Sequence, residues 1–167
     1  MDKQEPTASS RGADDADTAT IGSIVSALYD CISGGPGEIR DWERFRNLFH
    51  EDARLIPSAL EPDGKLRAQA YTPDGYIRRT EEFFLENGFF EKETARRVLA
   101  FGGIAHVFST YEGRRKESDE TPFLRGINSI QLLNEGDRWR IVTVFWQPES
   151  EGVRLPQEFL PREIRNL

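Results

Sequence analysis

The sequence predicts an α+β fold in which a curved antiparallel sheet forms a cone over three N-terminal helices. Three observations predict this class. Helical periodicity dominates residues 18–88, strand-like alternation dominates residues 94–147, and glycines within the strand-rich half allow a sheet to bend. The chain has 167 residues, of which 37% are hydrophobic and 11% aromatic. That is enough for one domain with its own core.

Three amphipathic segments predict the helices. Apolar residues recur at helical spacing after Thr18 or Thr20, and either threonine is a suitable N-cap. Asp41 is placed to cap a short second helix. Thr72 followed by Pro73 is typical of the first turn of a third helix. All three predicted helices therefore have a local start signal.

The strands are predicted from shorter patterns. Residues 53–56 indicate a first strand, and residues 57–70 a loop or a weak hairpin. Residues 94–112 indicate one long strand, with Gly102-Gly103 as a bulge or bend. Together with the hairpin described next, this gives three long antiparallel strands.

The hairpin from Phe123 to Gln147 is expected at the centre of the sheet, with its tight turn at Glu135-Gly136. Alternation with period two then fixes which residues share a face. The pocket-facing side is predicted to carry Gly126, Asn128, Ile130, Leu132, opposite Phe145, Thr143, Ile141 and Trp139 respectively. The outer side is predicted to carry Arg125, Ile127, Ser129, Gln131, opposite Trp146, Val144, Val142 and Arg140 respectively.

The ends of the chain differ in composition from the middle. Residues 1–17 are polar and acidic and predict a disordered tail. Residues 18–148 form the predicted domain. Residues 148–167 carry three prolines, and residues 149–167 are expected to pack on the domain as a C-terminal tail.

Charge and cysteine usage exclude several classes of partner. A net charge of −7 and a pI near 5.0 argue against nucleic-acid binding and against attachment to an anionic membrane. Cys31 is the single cysteine, so no intrachain disulfide is possible. The N-terminus has no apolar signal-like run, and no segment has the length and hydropathy of a membrane span. A cytoplasmic location is expected.

Four segments carry a family resemblance: LFHEDARL at 48–55, FGGIAHVFSTYEGR at 101–114, RGINSIQLL at 125–133 and RWRI at 138–141. The chain resembles the NTF2-like superfamily over roughly Thr20 to Leu160, and is most similar to its SnoaL-like bacterial members. The resemblance implies a cone-shaped pocket and a homodimer. The superfamily includes ketosteroid isomerase, scytalone dehydratase, polyketide cyclases and non-catalytic binding modules, so the fold leaves function open. No catalytic constellation of these branches maps residue by residue onto this chain.

The residues themselves suggest a ligand site. His106 is a candidate acid or base, or alternatively an outward-facing strand histidine at a dimer contact. Asn128 and Thr143 are candidates to orient a ligand carbonyl, or to satisfy each other. The other predicted ligand contacts are Tyr76, Trp42 and Phe145, with Tyr29 a further polar group.

Metal and cofactor binding are not predicted. His50 and Glu51 begin an HExxH pattern, but residue 54 is Arg, and the chain holds only two histidines and one cysteine. The expected function is therefore binding of a small, largely apolar molecule, without a cofactor. Two alternatives stay open: a pocket enzyme with isomerase, dehydratase or cyclase chemistry, and a dimeric accessory domain without a ligand. The outer sheet face is expected to form a homodimer.

Overall fold

Three helices pack across one face of a six-stranded sheet in the computed structural model, which describes residues 15–162 and shows a further helical turn at residues 15–18. The helices are α1 (Ile21–Ile32), α2 (Trp42–Asn47) and α3 (Pro73–Glu86). The strands are β1 (Phe49–Leu60), β2 (Leu66–Ala68), β3 (Phe90–Phe101), β4 (Ile104–Arg114), β5 (Leu124–Asn134) and β6 (Trp139–Pro148). A short 3₁₀ helix spans Gln157–Phe159.

The three helices begin where the sequence predicts. The side chains of Thr20, Asp41 and Thr72 each accept a hydrogen bond from the backbone N–H three residues later. These bonds satisfy donors that have no partner within a helix. None of the helices described between residues 15 and 162 has the length and hydropathy needed to cross a membrane.

The strand order is β2-β1-β6-β5-β4-β3, with β1 parallel to β6 and all other neighbours antiparallel. The β5–β6 hairpin therefore lies at the centre, as predicted. The sheet is mixed and open, and the helices lie on one side of it. The α+β fold class is confirmed.

The prediction of a single strand over residues 94–112 is wrong. Gly102 and Gly103 form a two-residue turn between β3 and β4, because Phe101 pairs with Ile104 across it. Gly102 has a φ of 54°, a left-handed conformation that glycine adopts without steric cost. The sheet therefore gains one long strand beyond the three predicted from residues 94–147, and this strand begins at Phe90.

The predicted hairpin register is also wrong. Ile130 pairs with Val144 instead of Ile141, and Leu132 pairs with Ile141 instead of Trp139. The other predicted partners of β5 are likewise replaced by residues further along β6. The turn holds four residues, 135–138, between the paired Asn134 and Trp139. A bulge then leaves Val142 as an extra residue in β6.

The bulge exchanges the faces of the second half of β6. Val144 is buried and Trp146 packs against the core, although both were predicted on the outer face. Thr143 now lies opposite Gln131, and Phe145 lies opposite Ser129. Thr143 and Phe145 consequently lie on the outer face, away from the helices.

An aromatic cluster joins the helices to the inner face of the sheet. Phe45 is fully buried, and its ring centroid lies 5.5 Å from that of Trp42, 4.7 Å from Phe49 and 5.7 Å from Tyr76. Rings at these separations contribute both buried area and favourable ring–ring contacts. The cluster fixes α2 and α3 against β1.

Most of the predicted N-terminal tail, residues 1–14, lies outside the described residues, as do residues 163–167. Asp17, at the edge of that tail, forms an ion pair with Arg44 at 2.7 Å. The described part of the C-terminal segment lies on the outer face of the sheet. There the Phe159 ring is 5.0 Å from the Phe108 ring, and Thr110 Oγ1 donates to the Phe159 carbonyl at 2.6 Å.

Candidate functional site

A cavity of about 210 Å³ lies between the helices and the inner face of the sheet. Its wall is mainly apolar and includes Leu28, Phe45, Leu55, Phe84, Phe89, Leu124, Val144 and Trp146. Its polar lining consists of Tyr76, Arg79, Thr80, Glu91, Tyr111 and Asn128. An apolar cavity with a few converging polar groups is the usual form of a small-molecule site.

Glu91 places a carboxyl group in this apolar wall. Its backbone N–H donates to Ser33 Oγ at 3.0 Å, which ties the start of β3 to the end of α1. The residue opposite Glu91 on β4 is Gly113, which has no side chain to occupy the space beside the carboxyl. The backbone therefore directs the Glu91 side chain towards the cavity.

Glu91 has no basic partner in the described part of the chain. Within residues 15–162, no lysine, arginine or histidine forms an ion pair with it, and Asn128 Nδ2 is its one side-chain hydrogen-bond donor, at 3.3 Å from Oε1. Burial raises the pKa of the Glu91 carboxyl from an ordinary 4.5 to about 7, and the Asn128 hydrogen bond opposes this rise. A carboxyl group with a pKa near neutrality can both take up and release a proton.

A chain of buried hydrogen bonds extends from Asn128. Asn128 Nδ2 also donates to the Tyr29 hydroxyl at 3.0 Å, and that hydroxyl lies 2.7 Å from Ser109 Oγ. Ser109 Oγ donates in turn to the Glu93 carboxylate. Burial raises the pKa of the Tyr29 hydroxyl, and the nearby negative charge of Glu91 adds to the effect. Tyr29 is therefore a neutral hydrogen-bonding group at neutral pH.

Tyr76 and Tyr111 bring two more hydroxyl groups to the cavity. Burial, with the nearby charge of Glu91, raises the pKa of both hydroxyls. Neither hydroxyl forms a hydrogen bond with any residue in the described part of the chain. Gly126 lies opposite Tyr111 on β5, and a Cβ at position 126 would overlap the Tyr111 hydroxyl. Both phenols keep their O–H available for a ligand.

The structure brings some of the predicted site residues together and separates others. Asn128 and Tyr76 line the cavity, and Tyr29 is bonded to Asn128. Trp42 lies in the core beside the cavity, with its ring 6.1 Å from Phe84. Thr143 and Phe145 lie on the outer face, so Asn128 and Thr143 do not meet.

His106 points outwards as well. Its Nε2 lies 2.8 Å from Ser129 Oγ, and its ring meets the edge of Phe108, both on the outer face. The histidine therefore has no contact with the inner cavity. Of its two predicted orientations, the structure shows the outward one.

Sequence reasoning missed Glu91, Tyr111 and Trp146. Glu91 precedes the segment predicted as a strand, and its neighbourhood, Phe89 to Arg97, is dominated by charge. Trp146 was placed on the wrong face by the bulge. The available signal for Glu91 was its two-residue spacing from Glu93, which places both carboxylates on one face of a strand.

The donor set does not suggest a metal centre. Among residues 15–162, no three His, Cys, Asp or Glu side chains lie close enough together to hold a metal ion. The two carboxylates on the inner side of β3 contact amide and hydroxyl groups instead.

No protein-family model matches the sequence, and no curated protein matches it. Solved structures do match. A cystatin-like fold protein of unknown function from Nostoc punctiforme has a TM-score of 0.58 at 11% identity, covering 87% of this chain and 96% of that one. An NTF-2-like protein of unknown function from Silicibacter pomeroyi has a TM-score of 0.52 at 18% identity, covering 87% and 100%.

A third match is described as a candidate ketosteroid isomerase from Shewanella frigidimarina. Its TM-score is 0.50 at 16% identity, over 75% of this chain and 93% of that chain. Identities this low establish the architecture and leave function to the residues of the site. The match to these proteins, together with helices that cover one face of an open, mixed six-stranded sheet, shows that the chain has the NTF2-like fold.

Proposed function

We propose that the chain binds a small, largely apolar carbonyl compound in the inner cavity, and that Glu91 exchanges a proton with it. The observation that carries this proposal is a carboxyl group in an apolar wall with no basic partner among the described residues. A half-buried carboxyl without a basic partner reduces stability, and such groups concentrate at functional sites. A cavity of about 210 Å³ suits a molecule the size of a six-membered ring.

The proton transfer needs no other reactant. Glu91, as the carboxylate, takes a proton from the carbon beside the carbonyl, and the C–H electron pair moves into an enolate. The Tyr76 or Tyr111 hydroxyl donates a hydrogen bond to the enolate oxygen and stabilises its charge. Glu91 then returns the proton to a carbon of the same molecule. The similarity in fold to a candidate ketosteroid isomerase is consistent with this chemistry.

Deuterium exchange tests the proposal. Cyclohexanone in D₂O should exchange its α-hydrogens faster with the protein than without it, as followed by ¹H NMR. The rate should rise with pH through about 7, because the carboxylate form of Glu91 is the base. Glu91→Gln should remove the protein-dependent rate while keeping ligand binding, measured by intrinsic tryptophan fluorescence.

Glu135→Gln is the matched control, because it removes the same charge at the β5–β6 turn, away from the cavity. It should exchange at the wild-type rate. Binding without exchange in the wild-type protein would favour the binding module without chemistry. Absence of binding would contradict both forms of the proposal.

The outer face supports a second proposal, concerning assembly. The C-terminal segment covers the end of this face near Phe108, whereas the end near the β3–β4 turn is exposed among residues 15–162. There Leu99, Phe101 and Ile104 are 73%, 84% and 60% exposed. An apolar patch of this kind is typical of a contact surface. We propose that a second copy of the chain packs on it.

Light scattering at micromolar concentration measures the association. Phe101→Glu should shift the protein towards the monomer, because it places a charge in the centre of the contact. Ile39→Glu is the control, since Ile39 is 79% exposed in the loop between α1 and α2. A wild-type monomer, or equal effects of the two changes, would contradict the proposed dimer.

A further inference from the structure

The hydrogen bonds between Glu93 and Asn128 have a single direction. Arg96 donates to Glu93 Oε1, from Nε at 2.7 Å, and the two residues form an ion pair. An arginine side chain only donates, so Glu93 acts here as the accepting carboxylate. Its other oxygen, Oε2, accepts the hydroxyl hydrogen of Ser109. The direction of the first hydrogen bond in this series, from Ser109 to Glu93, is thereby fixed.

The direction continues to the cavity. Because the single hydroxyl hydrogen of Ser109 is used by Glu93, the Tyr29 hydroxyl must donate to Ser109 across their 2.7 Å contact. Tyr29 can then only accept from its remaining neighbour, Asn128. Asn128 therefore presents its NH₂ group, and not its carbonyl oxygen, to both Tyr29 and Glu91.

We propose that Glu93 is a positioning residue, which acts through Ser109 and Tyr29 to hold the Asn128 amide with its nitrogen towards Glu91. A donor at this position favours the ionised form of Glu91, the form that accepts a proton. The catalytic benefit of this orientation rests on the proposed function, but the orientation of the amide itself does not depend on catalysis. Hydrogen-bond chains of this kind transmit orientation because each hydroxyl has one hydrogen to give.

Several other polar or charged groups lie around Glu91, in the cavity or next to it. They are Tyr29 from α1, Tyr76 and Arg79 from α3, Tyr111 from β4 and Asn128 from β5. The tyrosines remain neutral where Glu91 titrates, because burial raises the pKa of each hydroxyl. The orientation of the amide is therefore the property that a change at Glu93 alters.

Glu93→Gln is predicted to reverse the donor and acceptor roles along these hydrogen bonds. The guanidinium of Arg96 selects the Gln oxygen, so the Gln NH₂ group faces Ser109 and donates to it. Ser109 then donates to Tyr29, Tyr29 donates to Asn128, and the amide turns its oxygen towards Glu91. An acceptor at this position favours the protonated acid. The pKa of Glu91 should rise by about one unit, the size expected for a hydrogen bond to a charged group.

The measurement is the ¹³C NMR titration of the glutamate side-chain carboxyls in the ligand-free protein, with the Glu91 signal assigned by its loss in Glu91→Gln. Loss of the Glu93 charge acting only through space would lower the pKa of Glu91, so the sign separates the two explanations. Glu135→Gln removes the same charge elsewhere and should leave the pKa unchanged. A fall or no change in Glu93→Gln would overturn the proposal.

Ser109→Ala provides the second arm. It removes the hydrogen bonds of the Ser109 hydroxyl and frees the Tyr29 hydroxyl hydrogen to turn towards Asn128. This change should itself raise the pKa of Glu91. In the Ser109→Ala background, Glu93→Gln should cause no further rise, because the two changes act through one path. Additive shifts would overturn the proposal. Both arms use protein without ligand, so they remain informative even if cyclohexanone exchanges no deuterium.

Discussion

Two glutamates on opposite faces of the same sheet have opposite electrostatic environments. On the inner side, Glu91 has one amide donor and no basic partner in the described chain, and burial raises its pKa to about 7. On the outer side, Glu149 accepts from Arg125 Nε and Nη2 at 3.0 and 3.1 Å and from the Leu155 N–H at 2.9 Å. Burial raises the pKa of Glu149, but these donors outweigh it and hold the pKa below its ordinary value.

The difference separates a structural carboxylate from the carboxyl that we propose as the base. Glu149 fastens the C-terminal segment to β5, and its ionised form is the stabilised form. Glu91 performs no such fastening through its side chain, and its ionised form is disfavoured by its surroundings. A residue that costs stability where a paired or apolar one would not is best explained by what it does to a ligand.

The largest expected effect is a difference in unfolding free energy between removing a packed ring on the inner side of the sheet and removing an exposed ring on the outer side. Phe45→Ala should lower the free energy of unfolding by about 3–5 kcal/mol, because it empties the centre of the aromatic cluster. Phe101→Ala on the outer face should change it by less than about 0.5 kcal/mol, since that ring is already in water. Urea unfolding at concentrations where both variants are monomeric gives the two values. Similar losses would mean that the outer patch is packed against something in the monomer.

The second prediction concerns pH. The folded pKa of Glu91, about 7, lies above the ordinary 4.5, so the folded state binds more protons than the unfolded state between these values. Stability should therefore fall as pH rises from about 4.5 to 7, by on the order of 1–3 kcal/mol, and change no further from this group above that range. Glu91→Gln should remove this fall and be the more stable protein at pH 8.

Glu149→Gln is the matched comparison, with the opposite sign. The folded pKa of Glu149 is lowered, so its contribution is present above the unfolded pKa and is lost as pH falls. At pH 8 this change should destabilise the protein by about 1–2 kcal/mol. Thermal unfolding across pH 4 to 8 measures both variants. Loss of stability in both at pH 8 would remove the distinction between the two carboxylates.

The features predicted correctly from sequence are local. Thr20, Asp41 and Thr72 cap their helices through bonds that span three residues, so the sequence near each cap is sufficient to predict it. The position of the hairpin at the centre of the sheet followed from its length and apolar content. Its register did not, because it depends on contacts distant in sequence. The Ile141 N–H donates to the Leu48 carbonyl at 2.8 Å, which places β6 against the end of α2.

The site depended on that register and on a segment without an apolar pattern. A bulge at Val142 is enough to move Trp146 inwards and Phe145 outwards. The residue types around Val142 do not predict this bulge. The sequence did not predict that Glu91 faces the core, because the next inward-facing residue on β3, Glu93, is also a carboxylate. A strand whose buried side is polar has no hydrophobic alternation to detect. Asn128 and Tyr76 were found because each lies within a clear apolar pattern.

The smallest predicted effect concerns His106, the candidate acid or base that lies on the outer face. His106→Ala should leave deuterium exchange and ligand binding unchanged, because the imidazole contacts Ser129 and Phe108 outside the cavity. Loss of its hydrogen bond should cost about 0.5–1 kcal/mol of monomer stability. If a second copy packs near the β3–β4 turn, the change should also weaken self-association, measured by sedimentation equilibrium against wild type. A loss of exchange with unchanged association would place catalysis on the outer face and contradict the assignment of the inner cavity as the site.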